Sequence, residues 1–393
     1  MADGQDRAWA EIDLDSAACN MRAIRGIVNP QSMVMAVVKA NAYGHGMTEM
    51  SKVFLANGAG RLAVACLDEA VCLRRDGITA PIQILGYTPL DRMGEALDHI
   101  VIQTVSSTDA ALSLSRVACK IKKVATIHIK IDTGMGRLGF SCTKNLCKKI
   151  MRIVRLPGLF VEGLMTHFAA ADQGNSEYTH MQLQQFLDQC AMLEKEGVYI
   201  PVCHAANSAA LLNDPETHLG MVRPGIALYG LYSGYRRDAS IPLQPVMMLK
   251  ARVVQIKMLN AGSKVGYGGT YTTARRSRIA TVSAGYADGY LRRLSNMGYV
   301  GIGEEAAPVV GNVCMDQCMA DVTDLQGDVR VGQEVVLYGG QSETSMACVA
   351  ERHGAITYEL PCGLGPRVPR VYYAGGRVIN VCRFEERMTS QMI

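Results

Sequence analysis

The chain has 393 residues, 49% of them hydrophobic and 19% charged, which is ample material for a globular core and more length than one average domain uses. Forty basic residues against 36 acidic ones leave a formal charge of +4, and clusters such as Lys120–Lys123 and Arg275–Arg276 are short and scattered, so there is no electrostatic case for nucleic acid. The absence of any run of about 18 uninterrupted apolar residues excludes a transmembrane helix.

From about residue 30 to 230, short apolar runs alternate with helical patterns. The runs are Val34–Val38, Leu62–Cys66, Ile82–Leu85, Val101–Val105, Ala125–Ile131, Leu159–Met165, Pro201–His204 and Met221–Leu228. Their Val, Ile and Leu content fits strands buried on both faces. Between them, a helix is expected from Ser176, where Leu183, Phe186, Leu187, Cys190 and Leu193 recur at steps of three and four and Gly197 offers a stop. Eight strand–helix units predict an α/β fold, a (β/α) eight-fold TIM-like barrel. An open doubly wound sheet is second, since the first strand is not followed by Gly-x-Gly-x-x-Gly. Near Ile241 the pattern changes. Met248–Met258, Arg278–Ser283, Pro308–Val313, Met319–Val322, Gln333–Leu337 and Arg377–Cys382 are short runs separated by Gly-rich turns. The expected domains are therefore a barrel over 1–240, whose first dozen or so residues join the β domain, and a mostly β domain over 241–393.

Thirteen cysteines are irregularly spaced, with no Cys-x-x-Cys pair, and no metal site is expected from them. The opening MADGQDRAWAEIDLD lacks a basic start followed by an apolar stretch. Free thiols and no visible secretory signal lead to the expectation of a cytoplasmic protein.

Barrel chemistry sits where strands end. Beyond the first run stands Lys39-Ala-Asn-Ala-Tyr43-Gly-His-Gly46, beyond the fifth Lys130-Ile-Asp-Thr-Gly-Met-Gly-Arg137, beyond the sixth Thr166-His167, beyond the seventh His204 and Asn207-Ser208, and at the eighth Arg223-Pro-Gly225-Ile226. A lysine closing a buried strand is either paired with a carboxylate or desolvated, and desolvation makes its amine a nucleophile able to form an imine. Arg223-Pro-Gly225-Ile226 reads as a structural turn or as backbone N–H groups offered to a phosphate beside a permanent cation. Asn207-Ser208 is a helix cap or a further phosphate donor, and His167 a satisfied core histidine or a site residue. In the β domain, Tyr267 between glycines either plugs a turn or approaches a ligand. Tyr286-Ala-Asp288, Cys314-Met315-Asp316 and Tyr358-Glu are loop candidates without independent force.

Taken together these segments resemble the alanine racemase family. Val-Val-Lys39-Ala-Asn-Ala-Tyr43-Gly-His-Gly is similar to that family's pyridoxal-phosphate attachment motif. Lys130-Ile-Asp-Thr-Gly-Met-Gly-Arg137-Leu-Gly-Phe, Thr-His167-Phe-Ala, Ala-Asn-Ser208-Ala-Ala, Val-Arg223-Pro-Gly225-Ile226, Gly-Tyr267-Gly, Gly-Tyr286-Ala-Asp-Gly, Cys-Met315-Asp316-Gln and Tyr358-Glu follow in family order. The resemblance implies pyridoxal 5′-phosphate as cofactor, a small amino-acid substrate, and a homodimer in which Lys39 of one chain and Tyr267 of the other are the two bases that interconvert L- and D-alanine for peptidoglycan. It assigns the phosphate to Tyr43, Ser208, Gly225, Ile226 and Tyr358, and the pyridine nitrogen to Arg223, with His167 close by. Arg137 and Met315 would meet the substrate, Lys130, often carbamylated in the family, would orient Arg137, and Tyr286 would line the entrance, with Asp316 supporting. One departure is Gly266, where a serine is more usual; it is expected to loosen the tyrosine loop. Racemisation of serine or of a broader range of amino acids is a second reading. An amino-acid decarboxylase of the same fold is disfavoured by Arg223 and Tyr267, and a non-catalytic cofactor carrier by the presence of the β domain.

Overall fold

The computed structural model describes residues 6–173, 176–232, 234 and 241–383. They form two compact units. One runs from Ala17 to Gln244; the other joins the described residues up to Ser16 to those from Pro245 onward.

In the first unit, eight strands pair in parallel in the spatial order Met221–Val222, Met33–Val37, Arg61–Val64, Ile82–Ile84, Val101–Val105, Ala125–Asp132, Leu159–Met165 and Val202–His204. Backbone bonds from Gly220 N to Cys203 O (3.0 Å) and from Arg223 N to Ala206 O (3.0 Å) draw the two ends of the order together, so the sheet is a nearly closed TIM-like barrel. Its strands are mostly apolar and largely buried on both faces, as parallel strands covered by helices must be. The helix Glu177–Lys195 begins at Ser176, whose hydroxyl accepts from Thr179 N at 3.2 Å. Its chain turns away at Gly197, at φ +76°.

One run is shorter than its composition suggests. Met221–Leu228 is a strand only to Val222, followed by a 3-10 turn over Ile226–Tyr229. Pro224 has no N–H for a ladder, and Gly225 takes φ −117°, ψ −96°, so the strand breaks where Arg223 begins.

The second unit is mostly β. Its long strand Met247–Leu259 pairs with Ala8–Asp13, Glu334–Tyr338 and Ser277–Val282, all antiparallel. Ala8–Asp13 also pairs in parallel with Arg370–Ala374. The expected run Pro308–Val313 is not one strand. Glu305–Pro308 pairs with Tyr299–Ile302, and beyond it Val309 makes only an isolated bridge to Ala320. Helices Met346–Arg352 and Glu359–Cys362 fall in a region whose sequence shows little helical spacing. Among the described residues no helix is long and apolar enough to cross a membrane.

Candidate active site

Lys39 opens an unusual turn. Ala40, Asn41, Ala42 and Tyr43 all have φ between 50° and 54°, making a short left-handed helical turn without glycine. Each such residue costs about 1–2 kcal/mol, so the conformation must be imposed by its surroundings. Glu69 accepts from Ala40 N at 2.5 Å and from Ala65 N at 2.7 Å. Asn41 accepts from Met47 N at 2.9 Å, and His45 Nδ1 lies 2.9–3.0 Å from the carbonyls of Ala42 and Tyr43. The Tyr43 and His45 rings both pack on Tyr229, at 4.8 and 4.6 Å between centroids, and the Tyr229 hydroxyl donates to Val37 O at 2.9 Å. These contacts hold the end of the first barrel strand and deliver Lys39, half-buried, to the C-terminal rim.

A cup forms beside it. Ser208 Oγ accepts from Gly225 N at 2.8 Å and from Ala227 N at 3.3 Å, so the amides of the 225–227 turn converge on one hydroxyl. The Tyr43 hydroxyl lies so near the face of Gly225 that any side chain there would collide with it. Ile226 is fully buried in the same turn.

Arg223 is buried beneath the rim. Its Nη2 donates to Thr166 O and Ala205 O, both at 2.8 Å, and to His167 Nδ1 at 3.3 Å; its Nη1 donates to His204 Nδ1 at 2.8 Å. Every partner is a lone pair, which suits a guanidinium that stays a cation while burial lowers its pKa. The imidazoles of His167 and His204 are held neutral chiefly by desolvation and next by the charge of Arg223. Lys130, also buried, has its amine lowered to about 8 by burial, then by Arg137, Arg223 and Lys39. Arg137 follows a loop ordered by Asp132, whose Oδ1 accepts from Gly134 N and Gly136 N at 3.0 Å. The rim thus brings Lys39, Tyr43, Lys130, Arg137, His167, Ser208, Arg223, Gly225 and Ile226 to one end of the barrel.

The remaining positions lie in the second unit. Tyr267 starts a 3-10 turn, is 75% exposed, and its carbonyl accepts from Asn312 Nδ2 at 2.8 Å. Gly266 before it adopts φ +72°, ψ −175°, where a Cβ would also stand 2.8 Å from Met319 Cε. That backbone is essentially reserved for glycine, so the departure at 266 belongs to a defined turn. Tyr286 N donates to Cys314 O at 3.1 Å and Ala287 N to Met315 O at 3.0 Å, joining the two loop motifs. Asp288 is buried between Arg7 and Arg367, at 2.6 and 2.9 Å, and Arg367 reaches Asp316 at 2.6 Å. Met315 is 52% exposed and Tyr358 half-buried. Among the described residues no group of three His, Cys, Asp or Glu side chains is arranged to hold a metal.

Sequence reasoning missed Glu69, which holds the left-handed turn, and Arg61, His128 and Glu162, which lie beneath His204. The available signal for His128 was its i, i+2 spacing to Lys130 in an otherwise apolar strand, which places both on one face.

The family model described as alanine racemase, N-terminal domain, matches residues 12–233, and the one described as alanine racemase, C-terminal domain, matches 246–372. An alanine racemase of Clostridium tetani is 45% identical over 377 residues, covering 95% of this chain and 97% of that one. The solved alanine racemase of Clostridium difficile 630 superposes with a TM-score of 0.93 at 36% identity, over 97% of this chain and 99% of that one. An alanine racemase from Bartonella henselae, solved with covalently bound pyridoxal phosphate, does so with a TM-score of 0.85 at 29% identity, over 94% and 100%. With both family models matched in order and near-complete coverage of close relatives, the chain belongs to the alanine racemase family.

Proposed function

We propose that this chain is a pyridoxal-phosphate-dependent racemase that interconverts L- and D-alanine, working in the cytoplasm as a homodimer to supply D-alanine for peptidoglycan. The observation that carries the reading is the rim itself: Lys39 beside a cup of converging amides, with a buried cation, Arg223, beyond it. The cup suits a phosphate monoester: the Tyr43 and Ser208 hydroxyls and the backbone N–H groups of Gly225 and Ile226 would be its donors, with the Gly225 amide resting on Ser208 Oγ in this structure. Tyr358 would add a further hydroxyl. The cofactor, once bound, supplies an electron sink that acidifies the Cα–H of the amino acid.

This chain's own groups then handle the proton. Lys39 Nζ takes it from, or gives it to, Cα on one face, and Tyr267 of the partner subunit acts through its hydroxyl on the other. Arg223 would face the pyridine nitrogen. A guanidinium does not surrender its proton there, so the sink stays moderate and side reactions that need a stronger one are suppressed. Arg137 would pair with the substrate carboxylate. Lys130, with about one amine in ten unprotonated at pH 7 by its lowered pKa, is a nucleophile able to take up carbon dioxide, and the resulting carbamate would orient Arg137. A partner's contribution is supported by the exposure of Tyr267 and Met315 and by a cavity of about 800 Å³ lined by Val265, Tyr267, Cys314 and Met319.

Incubation with a panel of L-amino acids followed by chiral analysis tests the proposal. Alanine is expected to racemise fastest; serine turning over as fast would favour the broader reading, and no inversion of any amino acid would end it. Lys39→Ala is expected to abolish both turnover and the absorbance that depends on covalent attachment of the cofactor to Lys39.

A further inference from the structure

The barrel lumen holds a polar chain that ends on Arg223. Its origin is a break in register. Between the strands Ala125–Asp132 and Leu159–Met165, Ile127 pairs with Val161 but His128 pairs with Gly163, leaving Glu162 as the extra residue of a bulge. Bulges re-aim side chains, and here Glu162 meets Arg61 of the second barrel strand, with Arg61 Nη1 and Nη2 donating at 2.5 and 2.8 Å. Gly163 has no Cβ because the His128 ring occupies that space. His128 Nε2 lies 2.9 Å from Glu162 Oε2, His128 Nδ1 lies 2.7 Å from His204 Nε2, and His204 Nδ1 lies 2.8 Å from Arg223 Nη1. His128 and His204 are fully buried.

This chain has one direction. Arg61 pulls the Glu162 carboxyl down to about 2, so Glu162 only accepts. His128, kept neutral by burial, must then carry its proton on Nε2 and present a lone pair at Nδ1. His204 must in turn carry its proton on Nε2, and its Nδ1 lone pair faces Arg223. The opposite tautomer of His204 would set an N–H against a guanidinium N–H.

We propose that Arg61, Glu162 and His128 are positioning residues for the site: they lock the tautomer of His204 and so hold Arg223 at the place where the cofactor's pyridine nitrogen would lie. The lock rests on the proposed function only for the identity of what Arg223 faces; the tautomers themselves do not depend on it.

The test uses protein labelled with ¹⁵N-histidine and loaded with pyridoxal phosphate. His128→Gln and His204→Gln assign the two resonances. Both rings are expected as neutral Nε2–H across the pH range of activity. The double variant Arg61→Met/Glu162→Leu replaces the ion pair with apolar groups and keeps the volume filled. It is expected to show mixed His204 tautomers, a cofactor absorbance that becomes pH-dependent in that range, and a kcat lowered about tenfold or more with KM within about twofold. Glu162→Gln, which keeps an acceptor oxygen, should recover most of the parental tautomer and kcat. An Nδ1–H or cationic His204 in the parent, or a folded double variant with unchanged tautomers, would overturn the proposal. A parent that racemises nothing while showing the expected tautomers would sink the proposed function and leave the lock standing.

Discussion

Replacing Glu69 with alanine removes two hydrogen bonds that hold the turn behind Lys39. Its carboxylate accepts from Ala40 N and Ala65 N, and it is partly solvent-accessible. Water replaces part of what is lost, so each bond contributes about 1 kcal/mol, below the roughly 1.5–3 kcal/mol of a charged acceptor shielded from water, and the pair about 2 kcal/mol. For a unit of this size that lowers Tm by about 4–8 °C. The larger consequence is local. Four consecutive residues in the left-handed region carry about 1–2 kcal/mol of strain each, and weakening their support by about 2 kcal/mol lets relaxed conformations compete. Since a binding site populated only part of the time loses affinity in proportion, the dissociation constant for pyridoxal phosphate should rise about tenfold or more. Thermal unfolding and an absorbance titration of the apoprotein measure both effects. Glu69→Gln, which keeps one carbonyl acceptor, should fall between the alanine variant and the parent. If Glu69→Ala melts within about 1 °C of the parent and binds cofactor within about twofold, the turn is held by something else and the reasoning fails.

Gly225→Ala puts a methyl group against the Tyr43 hydroxyl; overpacking of this kind costs about 1–3 kcal/mol, and cofactor affinity should fall about tenfold in the same titration. Lys130, lowered to about 8 from 10.5, is less protonated in the folded chain than in the unfolded one between those values, so stability should rise with pH from 8 to 10.5. Urea unfolding in carbon-dioxide-free buffer checks this, and Lys130→Met should remove that rise. Glu162 acts with the same sign in an acid window: its carboxyl is lowered from 4.5 to about 2, so its contribution is whole above pH 4.5 and is lost as pH falls toward 2. Acid unfolding of Glu162→Gln should accordingly be less steep across that window.

The legible parts of this protein are those that local chemistry decides. Buried parallel strands must be apolar runs, and strand ends in a barrel must carry the polar residues, so Lys39, Lys130, His167 and Arg223 could be singled out from position alone. The left-handed turn could not. In Ala-Asn-Ala-Tyr only Asn41 takes φ near +50° readily, and the turn is held by Asn41 and His45 within the segment together with Glu69 and Tyr229, which the fold brings in. The same holds for the lumen. Glu162 reads as one polar residue in an apolar strand, and the bulge that turns it toward Arg61 and His128 depends on register between two strands, which no single segment encodes. Gly266 reverses the lesson. It stood out as a departure expected to loosen a loop, yet its φ of +72° and ψ of −175° mean that a serine would be strained in this backbone. A residue read as a loss of order is the one that permits the turn presenting Tyr267. Position along the chain therefore identifies which groups reach the rim, whereas their orientation is set by contacts between strands far apart in sequence.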